Sequence, residues 1–451
     1  MWNAVVSALN VAAAITITLS VFYYASMMFA GVRQLRRDES RLSIQGAAVY
    51  DDPFADDIGE WEVFFLVPCL NEEEVIGATA SRLRGHASRT VVVVDDGSDD
   101  DTDRVARAVG DDVIVVNRTL PHARTGKGAA LNAGFQRIRE MVEERGVDPE
   151  RVIVCVMDAD GRLSDGALGH VLPLFEDETV GGVQLAVRIR NREVNFLTRF
   201  QDFQFWSMSA VTQFGRQGTQ TVSLGGNGQF TRYTALLASG TEPWSNGLTE
   251  DLELALTLVT AGWRLQTTPR ASVDQQGVEK LRDLFVQRRR WYQGHMMAGA
   301  HLPAVWECRG LSHLQALELT AYLAVPWVFD LPWSLLSHWT LFSFVAHASV
   351  LFATLAGPLG WIPGILFWYA VTFMPALVAS VVYCMRDRRA GLLRSLLLGH
   401  SFLAMNYLSY VCVWSALARI LRRRTGWDKT ARTTERLQET ADSPDAVGSA
   451  T

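Results

Sequence analysis

The sequence predicts an open α/β domain with a parallel sheet, joined to α-helical segments that cross a membrane. Three observations predict this. Runs of β-branched residues alternate with helical patterns between residues 60 and 160, an uncharged apolar run stands near the N-terminus, and a long apolar region begins near residue 314. Strands of a parallel sheet that is covered on both faces are continuous apolar runs. A helix that crosses a bilayer needs roughly 20 apolar residues.

The N-terminal apolar run, Trp2–Val32, is predicted to be a retained membrane anchor. It contains no charged side chain, and Arg33, Arg36, Arg37 and Arg41 follow it. A signal peptide carries basic residues before a shorter apolar core, so this run does not have the pattern of one. The positive-inside rule puts the N-terminus outside and the chain from residue 33 onward in the cytoplasm of a multi-pass membrane protein.

The cytosolic part is predicted to begin with a linker at residues 33–58 and to continue as an α/β domain at residues 59–280. Its strands and helices alternate, and each apolar run is short enough to be a strand. The predicted strands are Val63–Pro68, Thr90–Asp95, Asp112–Val116 and Val152–Met157, and the helices between them are Glu72–Leu83, 101–109 and Lys127–Glu144. Ligands of such sheets bind at the carboxyl ends of the strands.

After an amphipathic region at residues 281–312, the chain is predicted to contain three or four spans at residues 313–421. His338–Leu355, Trp361–Cys384 and Ser395–Leu417 are clear candidates, whereas Ala316–Leu336 is interrupted by charged and proline residues. The basic segments at residues 386–394 and 419–424 flank a single span, so the charge rule cannot make both of them cytoplasmic. The number of spans stays open. Residues 422–451 are polar and are predicted to be a disordered tail.

Several classes of function are disfavoured by composition and motifs. The formal net charge of −6 does not support binding to nucleic acid. No G-x-G-x-x-G follows the first strand, and no G-x-x-x-x-G-K-[ST] occurs in the chain. The five cysteines form no C-x-x-C pair, which favours buried thiols over a metal or redox site.

Acidic residues follow the predicted strands. Asp158 and Asp160 are two apart after the fourth strand, so both carboxylates point to one side and suit Mg²⁺ or Mn²⁺ with a diphosphate. Asp96 follows the second strand and can bind a base or ribose. Lys127 begins a helix between two glycines and suits an anion. Acidic loops and ordinary helix starts are the alternative explanations of these patterns.

Two further motifs precede the apolar region. Thr249-Glu250-Asp251 begins a helix, and its second acid can serve as a general base. In Gln287-x-x-Arg290-Trp291, the arginine can clamp a diphosphate and the indole can support a sugar ring. Lys280, Arg282, Arg288 and Arg289 are predicted to face anionic lipid. The loop with Gly226 and Asn227 is a candidate for contact with the acceptor.

Taken in order, these motifs resemble the inverting glycosyltransferases of family 2, and especially the processive synthases of cellulose, chitin, hyaluronan and poly-N-acetylglucosamine. The resemblance covers roughly residues 60–300 and implies a GT-A fold in the cytosolic domain. It implies that the segment with Pro68, Asn71 and Glu72 is the opening strand motif and binds the donor together with Asp96, Lys127, Asp158 and Arg290. It further implies Asp160 with Asp158 as the metal motif, Glu250 and Asp251 as catalytic residues, and Gln287, Trp291, Gly226 and Asn227 on the acceptor.

The resemblance implies a reaction with a UDP-sugar, either UDP-N-acetylglucosamine or UDP-glucose, in which Asp251 deprotonates an acceptor hydroxyl and the product is β-linked. We expect a growing polysaccharide as acceptor, so that the enzyme is processive. A single transfer to a lipid is the alternative, because relatives that make glycolipids carry a similar Q-x-x-R-W motif. A transporter with a nucleotide-sensing domain is a third, weaker reading. The donor, the acceptor and membrane lipids are the expected partners, and the sequence gives no information on an accessory subunit.

Overall fold

The computed structural model describes residues 2–45, 59–84, 88–354, 362–387, 389–424 and 426. The acidic part of the predicted linker, at residues 50–57, and the tail from residue 427 onward lie outside the described residues. The strands are β1 (Glu62–Cys69), β2 (Arg89–Asp95), β3 (Val113–Asn117), β4 (Val152–Val156), β5 (Arg162–Leu163), β6 (Val180–Ile189), β7 (Gln229–Arg232) and β8 (Arg264–Gln275).

The helices alternate with these strands and then continue alone. They are α1 (Trp2–Gln45), α2 (Ile76–Leu83), α3 (Thr102–Arg107), α4 (Lys127–Arg145), α5 (Ala167–Val171), α6 (Phe196–Phe203), α7 (Ala210–Thr219), α8 (Tyr233–Ala238), α9 (Glu250–Thr260), α10 (Leu281–Ala298), α11 (Leu302–Glu307), α12 (His313–Ala324), α13 (Leu331–Thr354), α14 (Ile362–Arg386) and α15 (Leu392–Leu421). A π-helical turn at Gln204–Ser209 joins α6 to α7, and another at Val325–Asp330 joins α12 to α13.

All eight strands belong to one mixed sheet, in the order β3-β2-β1-β4-β7-β6-β8-β5. The four predicted strands, β1 to β4, are confirmed, and they pair in parallel. β7 pairs antiparallel with both β4 and β6, so the sheet changes direction next to β4. The longer strands β6 and β8 were not predicted, because polar residues interrupt their apolar runs.

The two faces of the sheet build two separate cores. Alternate side chains of a strand point to opposite faces. Phe64 and Leu66 of β1 therefore pack with residues of α4 and α9, whereas Val63 and Phe65 pack with residues of α2 and α5. This double burial fixes the register of β1, and the carboxyl ends of β1, β2 and β4 lie at one edge of the sheet.

Three helices are long and apolar enough to cross a membrane among the described residues: Ala4–Arg37, His313–Ser343 and Leu392–Leu421. The predicted anchor is part of α1, which continues as a helix to Gln45. The interrupted segment Ala316–Leu336 joins the next candidate span in a continuous helical run from α12 through the π-helical turn into α13.

A buried ion pair ties the apolar helices to the α/β domain. Nε of Arg216, on α7, lies 3.0 Å from Oε1 of Glu318, on α12, and each side chain is 4% exposed. The hydroxyl of Tyr23, on α1, donates to the same carboxylate at 3.4 Å, and the guanidinium of Arg216 stacks on the ring of Tyr322. Three segments that are distant in sequence therefore meet at one charge pair.

We predict that Glu318→Ala destabilises the protein by about 3–5 kcal/mol, because it leaves Arg216 buried without its counter-ion. Thermal unfolding of the purified protein in detergent measures the effect. The double variant Arg216→Met/Glu318→Leu should recover most of the loss, since it removes both charges.

Arg137→Ala is the matched control for this prediction. Arg137 also contacts two carboxylates, those of Glu140 and Glu144, but all three side chains are a third or more exposed to solvent. Exposed pairs contribute about 1 kcal/mol or less. Equal losses in Arg137→Ala and Glu318→Ala would contradict the special role of the buried pair.

Candidate active site

The edge of the sheet where β1, β2 and β4 end opens into a cleft of about 410 Å³. The cleft is lined by twelve of the fourteen predicted site residues. These are Pro68, Glu72, Asp96, Lys127, Asp158, Gly226, Asn227, Glu250, Asp251, Gln287, Arg290 and Trp291. The motifs are up to 223 positions apart in the chain, from Pro68 at the end of β1 to Trp291 on α10, so it is the topology of the sheet that brings them together.

Lys127 occupies the centre of the polar part of this cleft. Its Nζ donates to Oδ1 of Asp158 at 2.7 Å and to the carbonyl of Gly226 at 2.9 Å, and it lies 3.9 Å from Oε1 of Glu250. Burial alone would lower the pKa of this ammonium. The negative charges of Asp158 and Glu250 outweigh burial, so the pKa is raised and the side chain stays charged.

Glu250 and Asp251 form an acidic pair at the start of α9. Burial raises the pKa of the Glu250 carboxyl to about 7, and the charge of Asp251 adds to the shift, although Lys127 and Arg290 act against it. Burial also raises the pKa of Asp251, again against Lys127 and Arg290. Oδ1 of Asp251 accepts from the backbone N–H of Leu252 at 2.8 Å. The pair can therefore take up a proton near neutral pH, which suits a general base.

The glycine loop before β7 is held against the end of β4 by Asn227. Its Oδ1 accepts from the backbone N–H of Asp158 at 3.1 Å, and its Nδ2 donates to Oε1 of Gln275 at 3.1 Å. Gln184 fixes the same loop, because it accepts from Gly225 N–H and donates to the carbonyl of Asn227. Asn227 is 4% exposed, so both ends of its amide are used inside the fold.

Two predicted site residues do not line the cleft. Asn71 lies in the turn after β1 with φ of 54°, and its Oδ1 accepts from the backbone N–H of Asp99 at 2.7 Å. Asp160 is 1% exposed, and its Oδ2 accepts from the backbone N–H of Gln276 at 2.8 Å. These contacts hold Asn71 to the loop after β2 and Asp160 to the segment after β8.

The residues expected to hold a metal are Asp158 and Asp160. Among the described residues, no group of three or more His, Cys, Asp or Glu side chains is spaced to hold an ion. Mg²⁺ in phosphate-binding enzymes is commonly held by one or two carboxylates together with the phosphates of the substrate. Of the two carboxylates, only Asp158 lines the cleft, where it could meet a cation that binds with a diphosphate, whereas Asp160 is buried outside the cleft lining.

Two arginines that were not predicted as site residues contact the turn after β2. Arg118 donates to Oδ1 of Asp96, and Nη2 of Arg124 donates to the carbonyl of Gly97 at 2.5 Å. Burial nevertheless raises the pKa of Asp96, against the effect of Arg118 and of a backbone hydrogen bond. Arg118 directly follows β3, at the same edge of the sheet as Asp96, and this position could have indicated that it contacts Asp96.

Helix α10 closes the cleft on the side of the apolar helices. At Gly294 it packs so closely on Thr249 that a Cβ there would lie 2.7 Å from Oγ1 of that threonine. This contact holds Arg290 and Trp291 opposite the acidic pair. Nη1 of Arg290 donates to the carbonyl of Leu248 at 3.4 Å.

The far end of the cleft is aromatic. Phe205, Trp291, His295 and Tyr322 line it, and Phe205 meets Trp291 edge to face with ring centroids 6.0 Å apart. Burial lowers the pKa of His295 to about 4, so its imidazole is neutral, and the carbonyl of Tyr322 lies 2.9 Å from its Nε2. Of these four residues, only Trp291 was predicted from the sequence to belong to the site.

The expectation that Arg288 faces lipid is wrong. Its guanidinium lies over the rings of Trp291, at 4.7 Å, and Phe205, at 5.4 Å, and Nη2 donates to Oε1 of Gln204 at 3.0 Å. The helical period turns Arg288 toward α6 and the following π-helical turn. Lys280 and Arg282, which were also predicted to face lipid, are exposed at the start of α10.

Comparison with known proteins identifies a family. The model of a family described as "Glycosyltransferase like family 2" matches residues 62–294, about half of the chain. The β-monoglucosyldiacylglycerol synthase of Trichormus variabilis is 32% identical over 243 residues, which are 51% of this chain and 48% of that protein. The poly-β-1,6-N-acetyl-D-glucosamine synthase of Staphylococcus aureus is 26% identical over 239 residues, 51% of this chain and 54% of that protein.

The chain thus spans about half the length of the curated relatives it matches. Among solved structures, the mannosyltransferase PcManGT from Pyrobaculum calidifontis, in complex with GDP-Man and Mn²⁺, has a TM-score of 0.54 and 18% identity. The match covers 92% of this chain and 99% of that one. At this identity the likeness concerns the fold, which is GT-A-like.

We predict that Gly226→Ala abolishes most of the activity without unfolding the protein. The new Cβ would lie 2.7 Å from Nζ of Lys127 and 3.5 Å from Oδ2 of Asp251, so it would push the ammonium away from Asp158. The rate of the catalysed reaction should fall by at least about tenfold, equivalent to about 1.4 kcal/mol. Thermal unfolding should change little.

The neighbouring Gly225→Ala is the matched control. Its Cβ would meet only the Gln184 side chain, at an ordinary contact distance of 3.6 Å. We expect it to keep most of the activity. Equal loss in both variants would show that the loop, rather than the surroundings of Lys127, is responsible.

Proposed function

This chain belongs to glycosyltransferase family 2, and from that premise we propose that it transfers one hexose from a UDP-sugar to an acceptor hydroxyl at a membrane surface, with inversion. The observation that carries the proposal is the convergence of Lys127, Glu250 and Asp251 around Gly226, in the cleft that Arg290 and Trp291 also line. This arrangement combines cationic groups for a diphosphate with a buried base and an aromatic wall.

In the proposed reaction, the carboxylate of Asp251 accepts the proton of the acceptor hydroxyl. The acceptor oxygen forms a bond to the anomeric carbon from the face opposite the diphosphate. The bond between that carbon and the phosphate oxygen breaks, and its electron pair leaves with UDP. An α-linked donor thereby gives a β-linked product. Glu250 keeps the local charge low, since burial lets it share a proton with Asp251 near neutral pH.

The donor is bound by residues from several elements. Asp96, with its partner Arg118, is suited to the base and ribose. Lys127 and Arg290 are suited to the diphosphate, because both cations line the same cleft and a phosphate can accept several charge-assisted hydrogen bonds. A divalent cation held by Asp158, the residue of the predicted metal pair that lines the cleft, would neutralise charge on the leaving diphosphate.

The acceptor is expected at the aromatic end of the cleft. Phe205, Trp291 and Tyr322 form an apolar wall there, and Tyr322 belongs to α12, which begins an apolar helical run. Such a wall suits a sugar ring, a lipid backbone, or both. A hydroxyl presented from the bilayer would enter the cleft at this end, and membrane lipids border it in the proposed arrangement.

A lipid acceptor is the first candidate, so that the product is a glycolipid. It is supported by the 32% identity to β-monoglucosyldiacylglycerol synthases. A growing polysaccharide, which the sequence resemblance favours, is the second candidate. The similarity to a poly-β-1,6-N-acetyl-D-glucosamine synthase and the indole of Trp291 support it. In both cases the catalytic domain is cytoplasmic and the enzyme is a multi-pass membrane protein.

The product distinguishes the two candidates. Membranes that contain the protein are incubated with labelled UDP-glucose or UDP-N-acetylglucosamine and Mg²⁺ or Mn²⁺. A lipid-extractable labelled product supports the first candidate, and label in high-mass polymer supports the second. Absence of both products with every UDP-sugar would overturn the proposed function, and addition of a chelator should suppress either product.

We predict that Asp251→Asn binds the UDP-sugar normally and loses transfer by at least about a hundredfold, in the range of general-base catalysis. Donor binding is measured by calorimetry and transfer by product formation. Full transfer in this variant would remove Asp251 as the base. Asp101→Asn is the control, because Asp101 is an exposed acid in the loop before α3, outside the cleft.

The acidic pair also predicts a pH dependence. Because the base acts deprotonated and burial raises the pKa of Asp251, kcat/KM should fall on the acid side at a higher pH than an exposed aspartate would give. Glu250 has a pKa of about 7 and should add a second change to the profile near that pH. In Glu250→Gln this second change should disappear, while the acid limb due to Asp251 stays. A change near pH 7 that persists in Glu250→Gln would show that Glu250 does not titrate there.

A further inference from the structure

Helix α15 contacts the catalytic domain at both of its ends. Near its start, Nη2 of Arg394 lies 3.5 Å from Oε2 of Glu193, and the ring of Phe402 packs against Phe200 of α6. Near its end, Nε of Arg419 donates to Oε1 of Gln293 of α10 at 2.7 Å. Both ends of the helix therefore lie on the side of the molecule where the catalytic domain is.

The middle of α15 also contacts the catalytic domain. Sγ of Cys412 lies 3.7 Å from the carbonyl of Phe285, seven positions before Arg419. Phe285 and Gln293 are eight positions apart on α10, so α10 and α15 run side by side in the same direction. Helix α10 carries Gln287, Arg290 and Trp291 on the wall of the cleft, and it is thus part of the catalytic domain.

The length of α15 makes these contacts informative. Arg394 and Arg419 are 25 residues apart, which is about 38 Å of helix. The hydrocarbon core of a bilayer is about 30 Å thick. A helix of this length that crossed the bilayer would carry one of its ends to the far side, away from the catalytic domain. Contacts with this domain at both ends are not compatible with a crossing.

The other face of α15 is apolar and exposed. Six large side chains, between 43% and 73% exposed, form it: Leu393, Leu397, Leu403, Tyr407, Val411 and Trp414. Of these, Tyr407 also packs on His338 and Trp414 donates to Ser334, both on α13, while the other four are aliphatic. At 100° per residue all six fall within about 120° of one another. Ser395, Leu398, Cys412 and Ala416 lie on the opposite face and are buried. This is the pattern of a helix with one face on protein and one face in lipid.

We propose that α15 lies along the cytosolic surface of the membrane with its apolar face in the acyl layer, and that it does not cross. The occupant of this face is the lipid leaflet, because the face is apolar along its length and basic residues flank it, Arg389 and Arg394 at one end and Arg419 and Arg422 at the other. The proposal rests on the proposed function only in taking the catalytic domain to be at the membrane surface.

The proposed position of α15 explains why two basic segments flank it. If α15 does not cross, the basic segments at residues 386–394 and 419–424 lie on one side, as the positive-inside rule requires. The end of α14 agrees, since Oδ2 of Asp387 lies 2.8 Å from Nη2 of Arg188 in the catalytic domain. Only α1, the run from α12 to α13, and α14 then cross the membrane.

Cysteine accessibility tests the proposal in the full-length chain. Arg389→Cys and Arg422→Cys put a thiol at exposed positions on either side of α15. Labelling with a membrane-impermeant maleimide is compared in sealed inside-out and right-side-out vesicles. The unmodified chain, with its five cysteines, sets the background. Ala4→Cys and Arg36→Cys, on either side of the α1 span, should react from opposite sides and calibrate the vesicles.

We expect Arg389→Cys and Arg422→Cys to react from the same side as Arg36→Cys, with at least about tenfold less labelling from the other side. Reaction of these two variants from opposite sides would overturn the proposal. Reaction of both from the side of Ala4→Cys would also overturn it, because the helix would then lie on the wrong leaflet. Sugar transfer is measured on the same vesicles, and its absence would count against the proposed function alone.

Discussion

The cleft depends on the charge interactions between the ammonium of Lys127 and the carboxylates around it. Asp158, Glu250 and Asp251 come from β4 and α9 and lie together in a cleft that burial makes poor in solvent. Three carboxylates in such a place repel one another, and burial disfavours their charged forms. Lys127 compensates them by a direct contact with Asp158 and by its approach to Glu250. Without this cation the acidic motifs could not share one wall of the cleft in their charged forms.

The position of Lys127 is set by close packing of the backbone. At Gly128, one residue into α4, the helix lies so close to the carbonyl of Ser245 that no side chain fits. Asn132 then exchanges two hydrogen bonds with the backbone of Trp244, at 2.7 and 3.1 Å. The start of α4 is thereby attached to the segment that leads into α9. The cation and the acidic pair are positioned by the same contacts.

Buried polar contacts also attach the apolar helices to the domain that contains this cleft. The Arg216–Glu318 pair joins α7 to α12, and Asp202 of α6 accepts hydrogen bonds from Arg188 at 3.1 Å and from the Tyr383 hydroxyl of α14 at 2.6 Å. Buried charge pairs of this kind hold their partners in one geometry, because each partner left alone would be costly. The aromatic end of the cleft is therefore held at a fixed place beside the apolar helices. The proposed acceptor, which arrives from the bilayer, requires this arrangement.

The sequence by itself determined the parallel half of the sheet, because β1, β2 and β4 are continuous apolar runs whose pattern depends only on local burial. It also predicted Lys127, Asp158, Asp251 and Arg290 as site residues, from local spacing and from a family resemblance, and all four line one cleft. Tertiary structure alone decided what depends on distant neighbours. The interrupted strands β6 and β8, the burial of Asp160 against Gln276, the stacking of Arg288 on Trp291 and the course of α15 follow from packing between segments far apart in the chain. The physical reason is that the hydropathy of a segment depends only on its own residues. Which element covers the apolar face of that segment depends on how the rest of the chain folds.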